Sequence, residues 1–295
     1  MRRVLIVLVI LALAVPAFGR HAWSRYHWAS QSFPMNIKVG DNVSSAWDAY
    51  LTEAIGDWNQ SSKLNLSKVT GSTNSNCDPV AGRIEVCNGA YGQNGWLGIA
   101  QIWLNGGGRN HIGQAVAKMN DTYYASATYN TPGWRDLVMC QEVGHDFGLG
   151  HQDERNTNTN LGSCMDYTNY PDGGGTGGAL SNRAPNAHDY AQLEDIYNHT
   201  DSNTSWFATT GSTIAEQSIG GHMPVIGERL DHPWQWGTAV EWDESGRAIT
   251  YQRTIRMDVG NHHFEDVDVV TEVFWAPLEM LTPPGDAREA VRDEP

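Results

Sequence analysis

The sequence predicts an α+β fold with a small antiparallel β meander at its C-terminal end. Three observations predict it. Apolar residues recur at helical spacing over residues 47–58 and again up to His145. Between Lys63 and Met119 the apolar runs are short and broken by Gly and Asn, as in strands joined by turns. Beyond residue 225 three alternating segments follow one another with turn residues between them.

The chain has 295 residues, ample for a real core. Residues 1–19 read as a secretory signal peptide. Arg2 and Arg3 precede an unbroken apolar run over 4–15, and Ala17 and Gly19 offer small residues before a cut. A retained N-terminal anchor is the rival reading, although the run is short for a membrane span. No later stretch is apolar enough to cross a bilayer, so no stable membrane insertion is expected after cleavage, and the chain reads as secreted and extracellular.

Residues 20–200 form the expected main domain. Residues 33–41 read as its first strand. Ser44 and Ser45 offer caps to a helix whose Trp47, Leu51, Ala54, Ile55 and Trp58 share one face. Ile84–Cys87, Trp96–Leu104 and Ala115–Met119 read as strands. Thr131 can cap a second helix, with Pro132 in a first turn that needs no N–H from it. Gly148 or Gly150 can end that helix. A Gly-rich loop, Asp172–Gly178, has too few carboxylates to suggest calcium and leads to a helix over 187–198. Residues 201–225 read as a linker, 226–275 as a small β-rich region, and 276–295 as a disordered tail.

The net charge is −15, and losing Arg2 and Arg3 with the signal peptide takes it to −17. Such a chain repels phosphate backbones, which argues against nucleic-acid partners. The four cysteines allow two disulfides in three pairings. Cys77–Cys87, which closes a short loop, and Cys140–Cys164 are the favoured ones. Zinc binding by these cysteines is the rival, but no C-x-x-C pair supports it. The 12 Trp residues read as core packing rather than a sugar-binding face.

Residues 140–151 carry the chemistry: Cys-Gln-Glu-Val-Gly-His-Asp-Phe-Gly-Leu-Gly-His. Gln141 and His145 are four apart and share a helix face, with Glu142 three before His145. Gly148 permits a turn with positive φ, after which His151 can return to the group. Two imidazoles, an amide and a carboxylate then converge. His21, His27, His111, His188, His199 and His222 match no ligand spacing. His111 is the substitute to test should Gln141 fail to complete the set.

Residues 140–151 resemble the motif H-E-x-x-H-x-x-G-x-x-H of the metzincin zinc peptidases. Glu142, His145, Gly148 and His151 match it, and Gln141 stands where the family has its first His. Ser163-Cys164-Met165-Asp166-Tyr167 resembles the family's Met-turn. The order of elements over 33–198 looks most like the matrixin branch. The resemblance implies a mixed twisted sheet with long helices, a Zn²⁺ cofactor held by Gln141, His145 and His151, and Met165 beneath the metal. It further implies a secreted endopeptidase acting on protein or peptide substrates. A zinc-bound water would attack the peptide bond with Glu142 as general base, and Tyr167 would assist as an extra ligand or oxyanion donor. An amide oxygen is a poorer zinc donor than imidazole, so Gln141 lowers the expected affinity. The alternative is a catalytically inactive protein of the same fold that only binds.

Overall fold

A computed structural model describes residues 19–72, 76–105, 107–205, 231–260 and 263–277. Nearly all of the expected signal peptide, most of the 201–225 linker, most of the tail and His222 lie outside these residues. None of the described helices is long and apolar enough to cross a membrane.

Strand β1 (His27–Trp28) precedes β2 (Met35–Asn42), helix α1 (Asp48–Trp58), β3 (Leu64–Thr70), β4 (Arg83–Gly89) and β5 (Trp96–Trp103). Then come β6 (His111–Ile112), β7 (Gln114–Asn120), α2 (Asp121–Tyr124), α3 (Pro132–His145) and α4 (Ala187–Ile196). β8 (Thr238–Trp242), β9 (Ala248–Gly260) and β10 (His263–Trp275) follow. Eight strands form one mixed sheet in the order β3-β2-β4-β7-β5-β10-β9-β8. β3, β2, β4 and β7 run parallel, which requires crossovers, and α1 is the crossover between β2 and β3. β5 reverses direction against β7. The fold is therefore α+β with a mixed sheet, as the sequence predicts.

The meander expected as a region of its own continues this sheet. β10 pairs antiparallel with β5 from Val269↔Trp103 to Trp275↔Trp96, and β9 and β8 follow outward. The physical reason lies in β5. All eight of its residues are buried, so it needs a neighbour on both sides as well as cover on both faces. β10 alternates to supply that cover. Val270 and Phe274 join the main core beneath the helices. Val269 and Val273 face the other side, among Trp103 and Val116 and among Trp96 and Trp236 respectively.

α1 begins later than its serines suggest. Trp47 holds the cap position without a side-chain hydrogen bond, and Ser44 contributes only its carbonyl to the Trp47 N–H. Trp28, Trp47, Trp58 and Trp96 are fully buried, in keeping with core packing. Trp58 crosses from α1 to α3, where its indole N–H donates to the Cys140 carbonyl at 3.1 Å.

Candidate metal centre

α3 is fixed at both ends. Thr131 Oγ1 accepts the Trp134 N–H, and Pro132 opens the first turn. The chain leaves the helix through Gly148, whose φ is 88°. Any Cβ there would collide with the carbonyl oxygen of Tyr26. The N-terminal segment braces this exit. Trp23 N–H donates to Gly148 O at 2.7 Å, Gly150 N–H to His21 O at 2.6 Å, and Ala22 bridges Leu149. The Trp28 indole donates to Asp146 O at 2.7 Å. The turn between His145 and His151 is thus built by two distant pieces of chain.

Within this frame Gln141, Glu142 and His145 are fully buried, and the His151 side chain is 1 % exposed. The His145 and His151 rings stand perpendicular with centroids 4.6 Å apart. His145 Nδ1 lies 2.8 Å from Leu149 O, and His151 Nδ1 lies 3.3 Å from Glu272 Oε1. An oxygen beside Nδ1 places the proton there and leaves Nε2 as a lone pair. Among the described residues both Nε2 atoms are buried without a hydrogen-bond partner, as are both amide atoms of Gln141 and both oxygens of Glu142. So many orphaned polar atoms in one place are costly unless something binds them.

The floor is equally close. The Cys140–Cys164 disulfide ties α3 to the turn that carries Met165, and Cys77–Cys87 is the second bridge. A Cβ on Gly144 would stand 2.7 Å from Met165 Sδ, so glycine is what lets the turn approach the helix. Ser163 Oγ accepts the Met165 N–H and donates to Asp189, which also belongs to the α4 capping box. The Tyr167 ring is tilted against His151 with centroids 4.5 Å apart, and its hydroxyl donates to the Val273 carbonyl of β10 at 3.0 Å.

β10 therefore lies over the site. Glu272 sits between Val270 and Phe274 on the strand face that looks toward α3, and its carboxylate also accepts the Thr250 hydroxyl. The motif gives no hint of Glu272. The one sequence signal is a carboxylate at an inward position of an alternating apolar strand.

Burial pushes the Glu142 carboxyl well above the usual carboxylate range, and the charges of Asp146 and Glu272 add to this. Burial holds His145 well below the usual imidazole value, with His151 contributing. His151 is lowered to about 3, first by burial and then by His21. Neutral imidazoles with free Nε2 atoms, an amide oxygen and nearby carboxylates make a donor set that suits a divalent cation such as zinc.

Among the described residues two histidine groups lie outside this pocket. His21 stacks on His188 and reaches Asp189 Oδ1 at 3.4 Å. His27, His111 and His199 gather around Asp201, although their spacing in sequence suggests no ligand role. His111, the substitute considered for Gln141, stands in that group instead.

No protein-family model and no curated protein matches the sequence. Among solved structures, one titled "Structure of Myroilysin" is 12 % identical, covers 61 % of this chain and 85 % of its own, and superposes with a TM-score of 0.34. High choriolytic enzyme 1, a hatching enzyme zinc-protease from Oryzias latipes (Medaka fish), is 13 % identical. It covers 58 % of this chain and 94 % of its own, with a TM-score of 0.32. Neither title names a matrixin. Likeness at this level decides nothing about the chemistry, which rests on the side chains.

Proposed function

We propose that this chain is a secreted zinc-dependent endopeptidase. The observation that carries the reading is the set of buried, partnerless donors contributed by Gln141, Glu142, His145 and His151. Gln141 Oε1, His145 Nε2 and His151 Nε2 would hold the metal, and Met165 closes the space beneath. Zinc, when bound there, supplies Lewis acidity toward a peptide carbonyl and toward water.

The chain's own residues do the rest. Leu149 O and Glu272 fix the two imidazole tautomers. Glu142 takes the proton of the attacking water and delivers it to the departing amine. Its raised affinity for protons fits an acid–base role that runs in both directions. Tyr167 donates to a carbonyl oxygen, as it does to Val273 O. β10 supports the reading of the substrate as a peptide. It is an extended segment paired antiparallel with β5, with one carbonyl held by Tyr167 and one side chain beside His151. A substrate strand would take that place by pairing with β5.

The test is zinc content after mild purification together with cleavage of casein over a range of concentrations. The expected result is bound zinc and cleavage that stops with a chelator. Zinc without cleavage, or neither, would leave the inactive binding protein as the better account.

A further inference from the structure

We propose that His27, His111, His199 and Asp201 form a second, structural zinc site, separate from the centre on α3. This inference does not rest on the peptidase reading. Asp201 Oδ1 lies 3.6 Å from His27 Nε2, 3.4 Å from His111 Nε2 and 3.6 Å from His199 Nε2. His27 Nε2 and His199 Nε2 are 3.4 Å apart. Donors bound tetrahedrally at zinc distances of about 2.0–2.1 Å stand about 3.3–3.4 Å from one another. Four of the six separations among these atoms therefore match the corners of such a site, and the donor atoms of His27, His111 and Asp201 all lie within 4.8 Å of one another.

The surroundings aim these atoms. Parallel pairing of β1 with β6 sets His27 directly beside His111. The Nδ1 of His27 is engaged by Arg25 O at 2.7 Å, which leaves Nε2 as the free donor. The Asp201 backbone is held by Ser30 O at 2.6 Å, and its Oδ2 accepts the Ser30 N–H at 2.9 Å, which turns Oδ1 toward the imidazoles. A neutral His27 with its proton on Nδ1 can accept at Nε2 from His199 Nε2 at 3.4 Å, but it has no proton there to give Asp201 Oδ1 at 3.6 Å, so those two atoms face each other as acceptors. A cation satisfies all four donors at once.

The set has three imidazoles and one carboxylate from the protein and no position reserved for a substrate, the pattern of a structural site rather than a catalytic one. It joins three remote parts of the chain: β1, the connection that contains β6, and the segment after α4. β1 also carries Trp28, whose indole holds Asp146 O at the end of α3. A metal here would brace the turn that presents His151.

The experiment uses the full chain in four forms: wild type, H199A/D201N, H145A/H151A and the combination of all four substitutions. The His199 side chain is 45 % exposed, so its removal leaves little packing undone. Zinc per chain is measured after dialysis, and cobalt(II) is then titrated while the visible band of a tetrahedral site is followed. The inference expects two zinc ions in wild type, one in each double variant and none in the combination. H145A/H151A should keep a tetrahedral cobalt band, and its melting temperature should fall on chelation. H199A/D201N should lose affinity at this site by more than about 100-fold, the upper end of what outer-shell partners alone cost. If H145A/H151A holds no metal, or if H199A/D201N holds as much as wild type, the second site does not exist, and the centre on α3 is judged separately. If zinc is lost only through H199A/D201N, the second site stands and the peptidase reading falls.

Discussion

Glu142→Gln separates stability from catalysis with opposite signs. The Glu142 side chain is fully buried, and neither oxygen has a hydrogen-bond partner among the described residues. It is also packed tightly, since a Cβ on Gly98 would come within 2.6 Å of Oε1. Gln has the same shape and fits without repacking. A neutral amide is cheaper to bury than an ionised carboxylate next to Asp146 and Glu272. In the chelated protein at neutral pH the variant needs neither to keep a charge there nor to take up a proton, and should gain about 1 kcal/mol or more, the linkage energy of a shift of about one pH unit. That corresponds to a rise in melting temperature of about 2 °C or more for a chain of this size. Turnover of casein by the zinc-loaded variant should fall about 10²–10⁴-fold through loss of the base. Calorimetry of the chelated proteins and steady-state cleavage by the loaded ones check the two halves. Turnover within tenfold of wild type would remove Glu142 from the chemistry. A chelated variant less stable than wild type would mean that its carboxylate has a partner after all.

Other substitutions probe the frame around that residue. Gln141→His should tighten zinc binding and Gln141→Ala weaken it, as read by chelator competition; equal affinities in all three proteins would exclude Gln141 as a ligand. Gly148→Ala forces a side chain onto a φ of 88° and against a backbone carbonyl that cannot swing aside. It should cost more than about 2 kcal/mol in denaturant unfolding, beyond the roughly 1–2 kcal/mol of the left-handed conformation alone, and zinc should be lost with it. Asp166 gives a dependence on pH. Its carboxyl is raised to about 7, mainly by burial, against about 3.9 in an unfolded chain. The folded state then binds the proton more tightly, so this group's contribution to stability falls as pH rises from about 4 to about 7. Asp166→Asn should flatten that slope in melting curves between pH 4.5 and 7.5, set roughly inside this window; an unchanged slope would contradict it.

What was legible in the sequence is what local geometry determines. Helical spacing places Gln141 and His145 on one face, Gly148 permits the turn, and Cys140 and Cys164 each adjoin the motif they tie together. The α+β class follows from patterning for the same reason. What was not legible depends on register between remote segments. Glu272 reaches His151 only because β10 pairs with β5, and nothing short-range in either strand states that they pair. His27 meets His111 through a parallel pairing two residues long, too brief to leave a pattern. Asp201 joins them because Ser30 holds it from the far end of the chain. Ligand spacing is a useful signal when one helix carries two ligands and fails when each ligand arrives on a different segment.

The pairing of β10 with β5 also sets a competition. Any peptide that adds to β5 over Trp96–Trp103 must displace a strand that is already covalently attached. A tethered competitor acts at an effective concentration set by its connection and independent of how dilute the protein is. The apparent affinity for a free peptide is then its intrinsic affinity multiplied by the fraction of molecules in which β10 has let go. Val270 and Phe274 keep that fraction small, because both are part of the main core. The threshold is the same for every sequence, so it removes weak binders and spares strong ones. Changes that loosen the β10 ladder should lower it for all peptides in equal proportion, without altering their order of preference.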